Sequence, residues 1–118
     1  MISPRYSQTF TPIRPCLVTA SAAAGTALAT GFKTNNGMLG ILPDGQPVGT
    51  IMEAAKMNGF KTGLVVTSII NHATPAAYSA HSSDRNAYDD IAAQQIGYSH
   101  ALNQSVDVLL GGGRCYFK

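Results

Sequence analysis

The run Gly63-Leu-Val-Val-Thr-Ser-Ile-Ile70 limits what this chain can fold into. It is short, β-branched and almost unbroken in apolar character. A strand with one wet face alternates polar and apolar residues, so a run without alternation reads as a parallel strand covered on both faces. Parallel neighbours need crossover connections, usually helical. A second such run, Val106-Asp-Val-Leu-Leu110, follows after helical patterns, and a shorter strand, Leu17–Thr19, precedes the first. The order predicts an α/β chain with a mostly parallel sheet between helices.

The connecting segments carry ordinary start and stop signals. Ser21–Thr30 is alanine-rich and ends at Gly31, which predicts a helix able to pack closely on its neighbours. Asn35-Asn36-Gly37 and Pro43-Asp44-Gly45 are turn signals, with Met38–Leu42 between them as a short strand. Thr50 and Glu53 make a capping box; the helix they start has Ile51, Ala54 and Ala55 as its apolar face and ends at Gly59. Thr74 followed by Pro75 predicts a cap and first residue for a helix running toward His81. Tyr88, Ile91, Ala92, Gln95 and Ile96 recur at helical spacing, with Asp89 and Asp90 in the first turn and Gly97 as the stop. Gly111-Gly112-Gly113 lets the backbone turn sharply off the last strand.

Several classes of function are disfavoured. Net charge is only +2, and the eight Lys and Arg residues are scattered singly, so no basic patch argues for nucleic acid. Residues 1–16 hold three prolines and no apolar stretch of the secretory kind, and read as a loosely ordered leader before a domain over 17–118. The longest apolar stretch, Leu17–Phe32, is diluted by Thr, Ser and Gly and does not read as a membrane span. Cys16 and Cys115 read as two free thiols.

Ligands in parallel α/β sheets bind beyond the carboxyl ends of the strands. Ser21 and the 71–85 segment both leave such ends. Ser21 stands where free N–H groups and the positive end of a helix dipole converge, which suits a phosphate or an alkoxide; serving merely as an N-cap is the commoner job for serine there. Ser21, His72, Thr74 and Arg85 form the candidate constellation. Taken singly, His72 reads as a hydrogen-bonded structural histidine, Thr74 as a cap and Arg85 as a surface charge. His81 and His100 have no assignable partner, and Glu53, Asp84, Asp89, Asp90 and Asp107 read as solvated or capping. Gly31-Phe-Lys-Thr34 is not a phosphate-binding loop, because glycine and lysine are not adjacent and the segment follows a helix.

Together the residues are more specific. Val18-Thr-Ala-Ser-Ala-Ala, Lys33-Thr-Asn-Asn-Gly37, Asn71-His-Ala-Thr-Pro-Ala-Ala77, Ala80-His-Ser-Ser-Asp-Arg85 and Asp107-Val-Leu-Leu-Gly-Gly-Gly-Arg114 resemble the alkaline phosphatase family in order and spacing, over about Leu17–Lys118. Ile96-Gly-Tyr-Ser-His100 and Gly113–Lys118 are most similar to the fungal, vacuolar type. The resemblance implies a three-layer α/β sandwich, here incomplete, and homodimeric enzymes that hydrolyse phosphomonoesters. It implies Ser21 as the serine phosphorylated in turnover and Arg85 as the clamp on phosphate. Thr74 becomes a magnesium ligand, with His72 beside that metal, while two zinc ions activate the serine and stabilise the leaving oxygen. The family has aspartate where this chain has Ala20, and arginine where it has Ile69. The family's zinc-ligating side chains have no counterpart here, so the chain is expected to be inactive alone. Two other readings compete: a degenerate copy with weak phosphate binding, and a small phosphate-binding module.

Overall fold

The computed structural model describes residues 18–100 and 102–118. Strands β1 (Gly63–Ile69) and β2 (Val108–Gly112) lie side by side and run parallel, with Gly63 opposite Val108, Leu64 opposite Leu109 and Val65 opposite Leu110. The register then slips, so that Ile69 faces Gly112. The described helices are α1 (Ser21–Thr30), α2 (Ile51–Met57), α3 (Ala73–Ala76) and α4 (Tyr88–Gln95), and a 3₁₀ turn (Arg114–Tyr116) follows β2. The described part is thus a small α/β unit whose two-stranded parallel sheet lies between helices.

The core is made of small side chains. Ala22, Leu39, Ala73, Ala76, Ala77, Ala80 and Ile91 form one buried cluster. α1 packs on α3 so tightly that a Cβ at Gly25 would lie 2.9 Å from the Ala77 methyl. Helix propensity alone favours replacing this glycine by roughly 1 kcal/mol. The clash has no flexible side chain to absorb it, so overpacking wins. Gly25→Val is expected to cost about 1–3 kcal/mol of stability, read by urea unfolding; a variant as stable as the parent would show that the helix contact is loose.

Several expectations are corrected. Leu17 and the 1–16 leader fall outside the described residues, and Val18 and Thr19 belong to no strand. Met38–Leu42 is not a strand; Leu39 bridges Ser82 and Ile41 bridges Pro47 as isolated pairs. The sheet strand is not covered on both faces, for Val65 is 73% exposed and Leu110 56%. α3 packs against β1, and no described element lies over Val65. β2 starts two residues later than expected and takes in Gly111 and Gly112. A Cβ on Gly111 would stand 2.9 Å from Val66 Cγ2, so the glycine permits close strand approach, and the turn falls to Gly113 at φ 94°.

α2 shows the capping box, with Glu53 N bonded to Thr50 Oγ1 and Thr50 N bonded to Glu53 Oε2. Its buried face is the reverse of the expected one: Ile51 is 64% exposed and Glu53 is buried. α3 begins at Ala73 with His72 at its cap position, so Thr74 sits inside the first turn instead of before it. Pro75 is harmless there, because first-turn N–H groups have no helical partner to lose. α4 matches its expected span, burying Ile91, Ala92 and Gln95. Asp107 is not merely solvated. It binds Lys56 Nζ at 2.7 Å and accepts from Thr62 N, tying α2 to the start of β2. The Lys56 ammonium and the Thr62 N–H hold its carboxyl well below the usual carboxylate range. Cys115 is free and exposed. No helix among the described residues is long and apolar enough to cross a membrane.

Candidate active site

Ser21 is the first residue of α1, and the cap position belongs to Ala20, which makes no side-chain cap. Ser21 is therefore not an N-cap, and its exposed hydroxyl has a different partner. Arg85 Nη1 donates to Ser21 Oγ at 2.9 Å, joining residues far apart in sequence. A single loop sets this meeting. Ala20 N donates to Asn36 Oδ1 at 2.9 Å, and Arg85 N donates to the Gly37 carbonyl at 2.9 Å. The loop thus fixes the start of α1 on one side and the arginine backbone on the other. It does so with Ala20 in place of an aspartate.

Thr74 and His72 stand on the neighbouring helix. The Thr74 carbonyl lies 3.6 Å from where a Gly25 Cβ would be, and Gly25 is one turn beyond Ser21 on α1. The Thr74 side chain is exposed; His72 is half-buried and stacks on Tyr88 with ring centroids 6.1 Å apart. Ser21 and Arg85 are brought into contact, and Thr74 is placed on the helix that packs against α1. Among the described residues, neither the Thr74 nor the His72 side chain is hydrogen-bonded to the pair. Ile69 ends β1 half-buried beside Gly113.

Sequence reasoning missed a second cluster. Glu53, His81 and His100 meet in the interior. Both imidazole Nε2 atoms lie on the same oxygen, Glu53 Oε1, at 2.7 Å from His81 and 2.8 Å from His100. Burial pushes the Glu53 carboxyl up, but hydrogen bonds from His81 and Thr50 and the imidazole charge outweigh it and leave it below its ordinary value. Burial likewise pushes His81 down, yet the Glu53 carboxylate and the Gly40 carbonyl raise it above its ordinary value. At His100 burial prevails, and the ring is shifted toward neutrality. The capping box marks Glu53 in the sequence, but no spacing ties it to two distant histidines.

These three side chains are the only described His, Cys, Asp and Glu group whose ligand atoms converge within 4.8 Å. No such group surrounds Ser21. Zinc is held by thiolate, imidazole and carboxylate ligands, commonly three or four. The hydroxyls of Ser21 and Thr74 with one imidazole do not fit it, and no step through zinc is derived. Magnesium prefers oxygen donors and keeps several waters, so the exposed Thr74 hydroxyl is a chemically suitable contributor.

Comparison with known proteins decides the family. The alkaline phosphatase family model matches residues 4–118. The chain belongs to the alkaline phosphatase family. Alkaline phosphatase 4 of Bacillus subtilis is 52% identical over 100 residues, covering 85% of this chain and 22% of that protein. The cold-active alkaline phosphatase of Shewanella sp. superposes with a TM-score of 0.81 at 44% identity, covering 93% of this chain and 26% of that one. A histidine-to-aspartate variant of the TAB5 alkaline phosphatase, with Mg bound in its M3 site, superposes with a TM-score of 0.76 at 40% identity, covering 85% of this chain and 27% of that one. The chain therefore spans about a quarter of the length of these alkaline phosphatases. The small α/β unit is a piece of their fold, and homologues of this chain are named for phosphatase activity.

Proposed function

We propose that this chain carries the serine nucleophile and the phosphate clamp of a metal-dependent phosphomonoesterase. The hydrogen bond from Arg85 Nη1 to Ser21 Oγ is the observation that supports the reading. It puts a fixed positive charge and a hydroxyl at one point, at the positive end of a ten-residue helix. An arriving phosphoryl group carries oxygens that the planar guanidinium grips two at a time. The first-turn N–H groups of α1 add to the same attraction. Ser21 Oγ then attacks phosphorus, the bond from phosphorus to the leaving oxygen breaks, and the serine proton departs to water. A phosphoserine results, and a second water must later release it. The degenerate-copy reading is not favoured, because the pair is intact and in contact.

Magnitudes show what Ser21 and Arg85 can contribute. Hydrolysing a phosphomonoester at enzymatic rates takes an acceleration of up to ~10²¹, on the order of 25–30 kcal/mol. A hydrogen bond to a charged group supplies roughly 1.5–3 kcal/mol. The remainder is metal chemistry: a bound divalent ion lowers the pKa of an oxygen nucleophile and stabilises the leaving oxygen. The Mg bound in the M3 site of the TAB5 variant supports a magnesium ion in the complete enzyme, and the sequence resemblance assigns Thr74 as its ligand with His72 beside it. We infer that the chain supplied with zinc and magnesium turns over no chromogenic phosphomonoester above background. Zinc-dependent burst labelling of Ser21 would overturn that inference. A homodimer and a vacuolar location belong to the same proposal, the latter supported by the Ile96–His100 and Gly113–Lys118 segments.

A further inference from the structure

We propose that Glu53, His81 and His100 form a proton-bridged anchor that positions Arg85, and that this buried cluster is not a metal centre. The inference rests on the reading of Arg85 as the phosphate clamp. Its grounds are the tautomers that the backbone imposes. His81 Nδ1 lies 2.6 Å from the Gly40 carbonyl, and a carbonyl can only accept, so Nδ1 carries a proton. His81 Nε2 lies on the Glu53 carboxylate, which also accepts, so that nitrogen is protonated as well and the ring is a cation. His100 is different. Its Nδ1 accepts from the backbone N–H of Leu102 at 3.1 Å, which leaves the proton on Nε2, pointed at the same Glu53 oxygen. Glu53 Oε1 thus receives two protons in hydrogen bonds and Oε2 receives a third from Thr50 N.

A metal needs both Nε2 atoms bare. His81 could comply, since an Nδ1–H on a backbone carbonyl is the usual support for a ligating ring. His100 cannot while Leu102 holds its Nδ1. The separations of 2.7 and 2.8 Å are hydrogen-bond lengths as well. Ligands about 2.0–2.1 Å from a tetrahedral zinc stand farther apart than that.

The anchor reaches Arg85 through a short hydrogen-bonded segment. Gln94 grips the His81 backbone on both sides, accepting from His81 N at 2.7 Å and donating to His81 O at 2.9 Å. Ser82 is paired with Leu39 in both directions. Ser82 Oγ donates to Asp84 O, and Arg85 N is held by Gly37. Gly40 completes the cradle: at φ +58° it brings its carbonyl to His81, and a Cβ there would lie 2.7 Å from Nδ1. The other ionisable groups near the cluster lie along its cavity and its hydrogen bonds. Lys56, which lines the cavity beside Glu53 and His100, is bound to Asp107; Tyr78 lines the same cavity; Asp90 accepts from Gln94.

The test combines two measurements on the full chain. Ring-nitrogen NMR of the parent at neutral pH should show His81 protonated on both nitrogens and His100 on Nε2 alone, unchanged by added zinc ion. Bare Nε2 atoms on both rings, shifting with zinc, would establish a metal centre and overturn the proposal. Inorganic phosphate is then titrated into the parent, Glu53→Gln, Arg85→Ala and the double variant. Glu53→Gln should weaken phosphate about 5–10-fold, equivalent to about 1–1.4 kcal/mol, and should weaken it no further once Arg85 is alanine. Equal weakening in both backgrounds, or none, means that the cluster is only structural. His100→Ala removes a donor to Glu53 and should weaken phosphate, whereas His100→Gln keeps a donor and should stay nearer the parental affinity. If Arg85→Ala itself leaves phosphate binding unchanged, the clamp reading fails first and takes this inference with it.

Discussion

Glu53→Ala is expected to lower the stability of the chain by about 3 kcal/mol. Removing one partner of a buried ion pair costs roughly 3–5 kcal/mol when the other charge is stranded. His81 is not fully stranded, because an imidazolium can shed its proton, and this places the estimate at the low end. The loss is still large for three reasons. Thr50 N loses its acceptor, so the reciprocal half of the capping box of α2 goes, while the bond from residue 53 N to Thr50 Oγ1 stays. The His100 Nε2–H is left buried without a partner. The two rings, with centroids 5.4 Å apart, lose the anion between them. Chemical denaturation of the two proteins side by side measures the difference. A change under about 1 kcal/mol would show that water replaces the carboxylate freely.

The same cluster gives stability a dependence on pH, with a sign fixed by the direction of each shift. Glu53 titrates below its ordinary 4.5 when folded, so its contribution is full above 4.5 and is lost as pH falls through the lowered value. His81 titrates above its ordinary 6.5, so its contribution is full below 6.5 and is lost as pH rises through the raised value. His100 titrates below 6.5; the unfolded chain takes up that proton first, and stability falls as pH drops under 6.5. The cluster therefore stabilises most near 6.5. Thermal midpoints should decline on either side, and Glu53→Gln should flatten the decline on the alkaline side.

Local signals were legible in the sequence and tertiary ones were not. The capping box at Thr50 and Glu53, the span of α4 and the parallel relation of the two strands all follow from nearby residues. Burial did not follow. Glu53 turned inward because two imidazoles from distant segments meet it, and Ile51 turned outward as a result. The strand Gly63–Ile69 has the composition of a fully covered strand, yet Val65 is open among the described residues. Composition records what a strand is suited to, and packing depends on which elements lie against it. At the site, the five sequence blocks pointed to Ser21 and Arg85, and those two are the pair in contact. Ser21 as helix cap was the error, since an arginine remote in sequence takes its hydroxyl instead.

In the proposed function, Arg85 and Ser21 share one phosphate. Isothermal titration of inorganic phosphate into the parent, Arg85→Lys, Arg85→Ala and Ser21→Ala tests it most directly. Two charge-assisted hydrogen bonds at the lower end of their range, partly replaced by water, give a loss on the order of 10–100-fold for Arg85→Ala. Arg85→Lys should fall between, because a lysine keeps the charge without the fork. Ser21→Ala should bind phosphate nearly as well as the parent, since the serine is the attacking group and not the grip. Phosphate affinity that is indifferent to residue 85 would contradict the account.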